Sequence, residues 1–88
     1  MYQIKLSQRA EKDLSLIPRK HRIRIEHALE GFATSPGQWH NVVKVKDSPK
    51  KTPRYRLRIG EYRATFFIYR DMLLIEIITI GKKENFEY

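Results

Sequence analysis

The segment RYRLRIGEYRATFFIY, residues 54–69, constrains this chain more than any other stretch. It reads as two strands joined by Gly60-Glu61, a two-residue hairpin loop with glycine first, as a type II′ turn prefers. In that register Ile59 faces Tyr62, Arg58 faces Arg63, Leu57 faces Ala64 and Tyr55 faces Phe66. Side chains alternate across a strand. One face therefore carries Tyr55, Leu57, Ile59, Tyr62, Ala64, Phe66 and Ile68, a core set. The other carries Arg54, Arg56, Arg58, Arg63, Thr65 and Phe67.

That second face breaks a packing rule. Like charges directly opposite each other are unfavourable by up to roughly 1 kcal/mol per pair. Strand cations can form a solvated outer face that also guards a sheet against edge pairing. Here they continue across the turn with few acids among them. Local rule-breaking of this kind is expected at functional sites, and a polyanion is the partner it suits.

Composition agrees with this. Eighteen basic residues against ten acidic ones give a net charge of +8 in 88 residues. That excess points to nucleic acid, an anionic membrane or an acidic protein. The length suits one domain, residues 1–88, with a core but no deep enclosed pocket, so chemistry should sit on a face or in a shallow groove. No cysteine is present, which removes disulfides, thiolate catalysis and cysteine-held metals. The opening MYQIKLSQRAEK becomes charged too early for a signal peptide. The longest apolar run, MLLIEIITI, is too short to span a bilayer and is broken by Glu76. A soluble cytoplasmic protein with no membrane partner is the expectation.

Along the chain, Tyr2, Ile4 and Leu6 alternate as a first strand. Ser7 can N-cap a helix whose buried stripe is Ala10, Leu14 and Ile17. Pro18 ends that helix and can occupy the first turn of a second. The second helix buries Ile25, Ala28 or Leu29, and Phe32, and stops at Thr34-Ser35-Pro36-Gly37. Its first turns carry Arg19, Lys20, Arg22 and Arg24, which oppose the helix dipole unless an anion sits nearby. Trp39 and His40 fall in a loop. Val43-Lys44-Val45-Lys46 alternates as a strand and DSPKKTP follows as an exposed loop. After the arginine hairpin, a turn near Arg70-Asp71 leads to LLIEIITIG. Pairing Ile68 with Leu73 puts Ile75 and Ile77 in the core and Leu74, Glu76 and Ile78 on the arginine face. A partner or the C-terminal tail should then cover that apolar second side. The layout expected is α+β, β-α-α-β-β-β, with two N-terminal helices on one face of a largely antiparallel twisted sheet.

Conventional catalytic sets are scarce. His21, His27 and His40 lack metal-ligand spacing, and no carboxylate pair or phosphate-binding glycine loop stands out, so no metal or cofactor is expected. Arg, Lys and Tyr do suit metal-independent RNA cleavage, in which the ribose 2′-hydroxyl attacks the adjacent phosphate. The protein then aligns the groups, stabilises the phosphorane charge and moves protons. Arginine forks match phosphate oxygens. Arginine is a poor proton donor, so a lysine or tyrosine whose pKa neighbouring cations depress is the easier acid or base. Lys44, Lys46, Lys82, Lys83 and Tyr88 are available.

The order of elements, the YRLRIGEYR hairpin, VKVK and the closing Gly-Lys-Lys-Glu resemble the RelE/ParE superfamily of prokaryotic toxin–antitoxin systems over essentially the whole chain. The resemblance implies a toxin that cuts mRNA in the ribosomal A site, beside rRNA, and that a cognate RelB-like antitoxin wraps and blocks. The family's hairpin cations fall on Arg56, Arg58 and Arg63, the first two being lysines in RelE. The basic residue two after the closing glycine, an arginine in RelE, corresponds to Lys83. The C-terminal tyrosine corresponds to Tyr88, one residue closer to Gly81. The implied catalytic set is thus Arg56, Arg58, Arg63, Lys83 and Tyr88, with Lys44, Lys46, Arg54 and Lys82 as further RNA contacts. Phe67, Leu74 and Ile78 make the expected antitoxin surface. ParE-type relatives share the scaffold but inhibit DNA gyrase by a protein–protein contact. That is the competing class, and an RNA binder with a decayed site is a third.

Overall fold

The computed structural model describes residues 1–35, 41–46 and 48–82. Trp39, His40, Lys83 and Tyr88 lie outside those residues. The elements are β1 (Gln3–Leu6), α1 (Gln8–Ser15), α2 (Arg19–Thr34), β2 (Val42–Lys44), β3 (Tyr55–Ile59), β4 (Tyr62–Tyr69) and β5 (Leu74–Lys82). This is one strand more than β-α-α-β-β-β, because β2 and both hairpin strands all precede β5. The five strands form one sheet in the order β1-β5-β4-β3-β2. β1 runs parallel to β5 and every other pairing is antiparallel. No helix among the described residues is long and apolar enough to cross a membrane.

Both helices lie on one sheet face. The Ser7 hydroxyl caps α1 by accepting the Ala10 N–H at 3.0 Å. Ala10, Leu14 and Ile17 are buried as the stripe predicts. Pro18 stands one residue earlier than expected, as the extended N-cap of α2. Its carbonyl accepts the N–H groups of His21 and Arg22 at 3.0 and 2.9 Å, so the ring's missing donor falls just outside the helix. From α2, Ile25, Leu29 and Phe32 enter the core, whereas Ala28 is only half-buried. They meet Leu57, Ile59, Ala64, Phe66, Ile75 and Ile77 from the sheet. Phe66 is the centre, edge-on to Phe32 at 5.0 Å and stacked on Tyr55 at 5.8 Å.

The hairpin has the predicted register at every pair from Tyr55–Phe66 to Ile59–Tyr62. Gly60 has φ +60, while Glu61 does not share a positive φ, which is the type II′ arrangement. β5 is shifted by two residues from expectation: Ile68 pairs with Ile75, not Leu73. An even shift preserves the faces, so Ile75 and Ile77 are in the core. A bulge opposite Thr65/Phe66 then resets the alternation, because Phe66 pairs with Ile77 but Thr65 pairs with Thr79. Ile78 is the extra residue. It is half-buried beside the core residue Ile77, and beyond the bulge Ile80 takes the next core position.

β1 stops at Leu6, so β5 beyond Ile77 has no strand on that side. α1 substitutes for one. The Ser7 N–H bonds the Ile77 carbonyl at 2.9 Å, the Ser7 hydroxyl donates to the Ile78 carbonyl at 2.7 Å, and Asp13 Oδ2 accepts the Ile80 N–H at 3.0 Å. These bonds satisfy backbone groups that would otherwise lie unpaired at a strand edge. They fix the end of β5 beside the hairpin.

Candidate functional site

The sheet face away from the helices carries the arginines. Paired residues share a face, so the register places Val43, Arg56, Thr65 and Thr79 in one row and Arg58, Arg63 and Gly81 in the next. Phe67, Glu76 and Lys5 form a third row toward the other end. The Arg54 guanidinium lies 5.9 Å from the centre of the Phe67 ring, which puts it on the same face. All four hairpin arginines therefore share one side. Neither of the depressions on the helix side, one between β1 and α2 and one beside the α1–α2 junction, is lined by any of the four.

Arg58 and Arg63 meet in an unusual way. The Arg58 N–H points to the Asn41 carbonyl, 2.9 Å away on the β2 side, so Arg58 and Arg63 are a non-hydrogen-bonded pair. That is the closer type of cross-strand pair, with Cα atoms about 4.5 Å apart. The two charges separate by taking different environments. Arg58 is exposed. Arg63 is only 7% exposed and turns back over the hairpin, where Nη1 donates to the Tyr62 carbonyl at 2.8 Å and to the Gly60 carbonyl at 2.9 Å. It does not project into solvent, as the alternation alone suggested. Among the described residues no carboxylate stands within ion-pair distance of Arg58 or Arg63. A buried, oriented guanidinium with no described counter-charge is chemically suited to an anion, because an unneutralised buried charge is unfavourable.

The other predicted contacts divide. Lys44 pairs with Tyr55 and Lys82 with Tyr62, so both belong to the helix-side face by register, while Val43 takes the arginine-side position. Lys82 indeed lines the depression beside Ile17 and Pro18. Lys46 is exposed in the turn after β2. Phe67 and Leu74 are half-buried on the arginine side, as predicted, near Tyr69, whose hydroxyl donates to Glu76 Oε1 at 3.2 Å. Partial burial, then that hydrogen bond and the carboxylate charge, raise the Tyr69 pKa above 10.0. Lys83 and Tyr88 lie outside the described residues, so every cation described at the hairpin end of this face is a guanidinium. Among the described residues no His, Asp and Glu cluster converges to hold a metal.

One residue that the sequence did not connect to the site is Arg24 of α2. A Cβ built on Gly60 would lie 3.1 Å from its Nη1 and 3.2 Å from its Cζ and Nη2, so its guanidinium rests against the turn. The run of cations opening α2 was the available signal, but periodicity contains no distance to the hairpin.

Several solved structures share this fold. The RelE–RelB complex of Pyrococcus horikoshii superposes with a TM-score of 0.78 at 21% identity, over 93% of this chain and 94% of that one. The fold is that of RelE toxins. The intact RelBE toxin–antitoxin complex of E. coli gives 0.71 at 22% identity, over 93% and 96% of the two chains. The RelBE2 toxin–antitoxin complex of Mycobacterium tuberculosis gives 0.73 at 18%, over 93% and 98%. No family model matches the sequence, and no curated protein matches it. The shared fold is α+β, two helices and a mostly antiparallel five-stranded sheet.

Proposed function

We propose that this protein is the toxin of a toxin–antitoxin system, a metal-independent endoribonuclease that cleaves mRNA in the ribosomal A site and so halts translation in the cytoplasm. The observation that carries this reading is Arg63, buried, aimed by two carbonyls and lacking a described carboxylate, directly across from Arg58. In the reaction the 2′-oxygen bonds to phosphorus as the P–O5′ bond breaks. One proton leaves the 2′-hydroxyl and another reaches the 5′-oxygen. Arg56, Arg58 and Arg63 bind the phosphate and stabilise the charge that builds on its oxygens. Such stabilisation lowers barriers by about 3–4 kcal/mol per donor in comparable oxyanion sites. Guanidinium groups do not release protons near neutral pH, so proton transfer is assigned to Lys83 as acid and Tyr88 as base. A RelB-like antitoxin, the partner named in the similar complexes, covers this face in the resting state.

Purified protein added to ribosomes translating a defined message should yield fragments cut within codons, and Arg63→Ala should abolish them. An intact message accompanied by trapped cleaved DNA–gyrase complexes would select the gyrase-inhibitor reading instead.

A further inference from the structure

We infer that the RNA-binding surface does not end on the sheet but crosses the hairpin tip onto α2, where Arg24 contacts a second phosphate of a single strand. The inference rests on the nuclease reading of the arginine face and extends it.

The Gly60 turn lies between two guanidinium groups. Arg63 Nη1 donates to the Gly60 carbonyl at 2.9 Å from the sheet side, and Arg24 sits 3.1 Å from the position of a Gly60 Cβ from the α2 side. By the dimensions of one residue, the two groups are no more than about 9 Å apart. Neighbouring phosphates on one strand can span that reach. No described carboxylate pairs with Arg24, not even Glu61 in the same turn. One turn back from Arg24 on the same helix face stands Lys20, and the first turn of α2 contains no acid. A helix start bearing only cations works against its own dipole. An anion shared with the hairpin tip relieves that conflict and the Arg24–Arg63 repulsion together.

The geometry also selects the kind of nucleic acid. A duplex has a persistence length of about 50 nm, so bending it round a corner within the 33 Å longest extent of this molecule costs several kcal/mol. A single strand can follow such a corner, held by a basic track along its backbone.

The test uses 2′-deoxy or 2′-O-methyl oligonucleotides, which cannot be cleaved. A dinucleotide with one internal phosphate and a hexanucleotide are titrated against wild type, Arg24→Gln, Arg24→Lys and Arg63→Gln. Arg24→Gln should weaken the hexanucleotide about five- to tenfold and lower the slope of log K against log salt by about 0.7. It should leave the dinucleotide within about twofold of wild type. Arg24→Lys keeps the charge and the slope, and covers the case in which glutamine disturbs the turn. Unchanged hexanucleotide binding in Arg24→Gln would overturn the proposal. So would equal losses for both ligands, since Arg24 would then act only by shaping the Arg63 site. Arg63→Gln should weaken both oligonucleotides. If it weakens neither, the arginine-face reading itself fails, separately from Arg24.

Discussion

Replacing Arg63 with methionine separates a structural staple from a binding group. The substitution keeps roughly the volume of the side chain and removes its charge. Two hydrogen bonds to the Gly60 and Tyr62 carbonyls disappear, each with a net value of about 1.5 kcal/mol because the donor is charged. Against this stands repulsion from Arg58, its direct partner across the strands. Two unit charges about 6 Å apart repel by roughly 0.7–3 kcal/mol for effective dielectrics of 80 to 20. The two effects are of similar size and opposite sign. Arg63→Met should therefore lose no more than about 2.5 kcal/mol of stability in urea.

Binding should respond very differently. A charge-assisted bond to phosphate contributes about 1.5–3 kcal/mol, so affinity for a non-cleavable oligonucleotide should fall by one to two orders of magnitude. Ligand linkage makes this visible in one assay. At a ligand concentration about 100 times Kd, the wild type gains roughly 2.7 kcal/mol, which raises Tm by about 10–20 °C in a domain of this size. If the variant binds about thirtyfold more weakly, the same concentration gives it roughly 0.8 kcal/mol and a rise of only about 3–6 °C. A loss of more than about 3 kcal/mol without ligand would make Arg63 a fold determinant and refute the reasoning. An oligonucleotide that stabilises both proteins equally would refute it from the other side.

Two further outcomes follow from the opposite end of the same face. Tyr69 has a raised pKa in the folded protein, through partial burial and its bond to Glu76, so its contribution to stability is complete below about 10 and declines as pH rises through the folded value. Tyr69→Phe should flatten the alkaline part of the unfolding free energy, and an unchanged alkaline decline would show that other groups cause it. Leu74→Asp should weaken binding of the proposed RelB-like antitoxin at least tenfold, because Leu74 stands on the arginine side beside Tyr69. Ile78→Asp should weaken it less, since Ile78 occupies the bulge, and retained affinity in Leu74→Asp would remove that surface from consideration.

The hairpin was legible residue by residue because its turn chemistry and its alternation specify the same register independently. The α1 stripe and the Ser7 cap were legible for similar local reasons. β2 was not. Val43-Lys44-Val45-Lys46 alternates as cleanly in one phase as in the other. What selects the phase is the bond from the Arg58 N–H to the Asn41 carbonyl, a contact between distant segments that places Val43 on the arginine side, 65% exposed. Arg63 shows another limit. Alternation gives the face of its Cβ, but not that three methylenes and a guanidinium fold back onto the turn.

The bulge in β5 has the largest consequence for the site, and nothing in Ile77-Ile78-Thr79-Ile80 announces it, because a strand apolar on both sides reads the same in either phase. Without the extra residue, the alternation that buries Ile75 and Ile77 would have carried Lys82 onto the arginine face. With it, Lys82 pairs with Tyr62 on the helix side and Gly81 pairs with Arg63. The position next to the buried guanidinium is thus held by glycine, which has no side chain to fill the space. The same shift needs Ser7 and Asp13 of α1 to satisfy the displaced β5 backbone. An N-terminal helix cap and the bare backbone position beside Arg63 are in this way parts of one arrangement, joined by a single inserted residue.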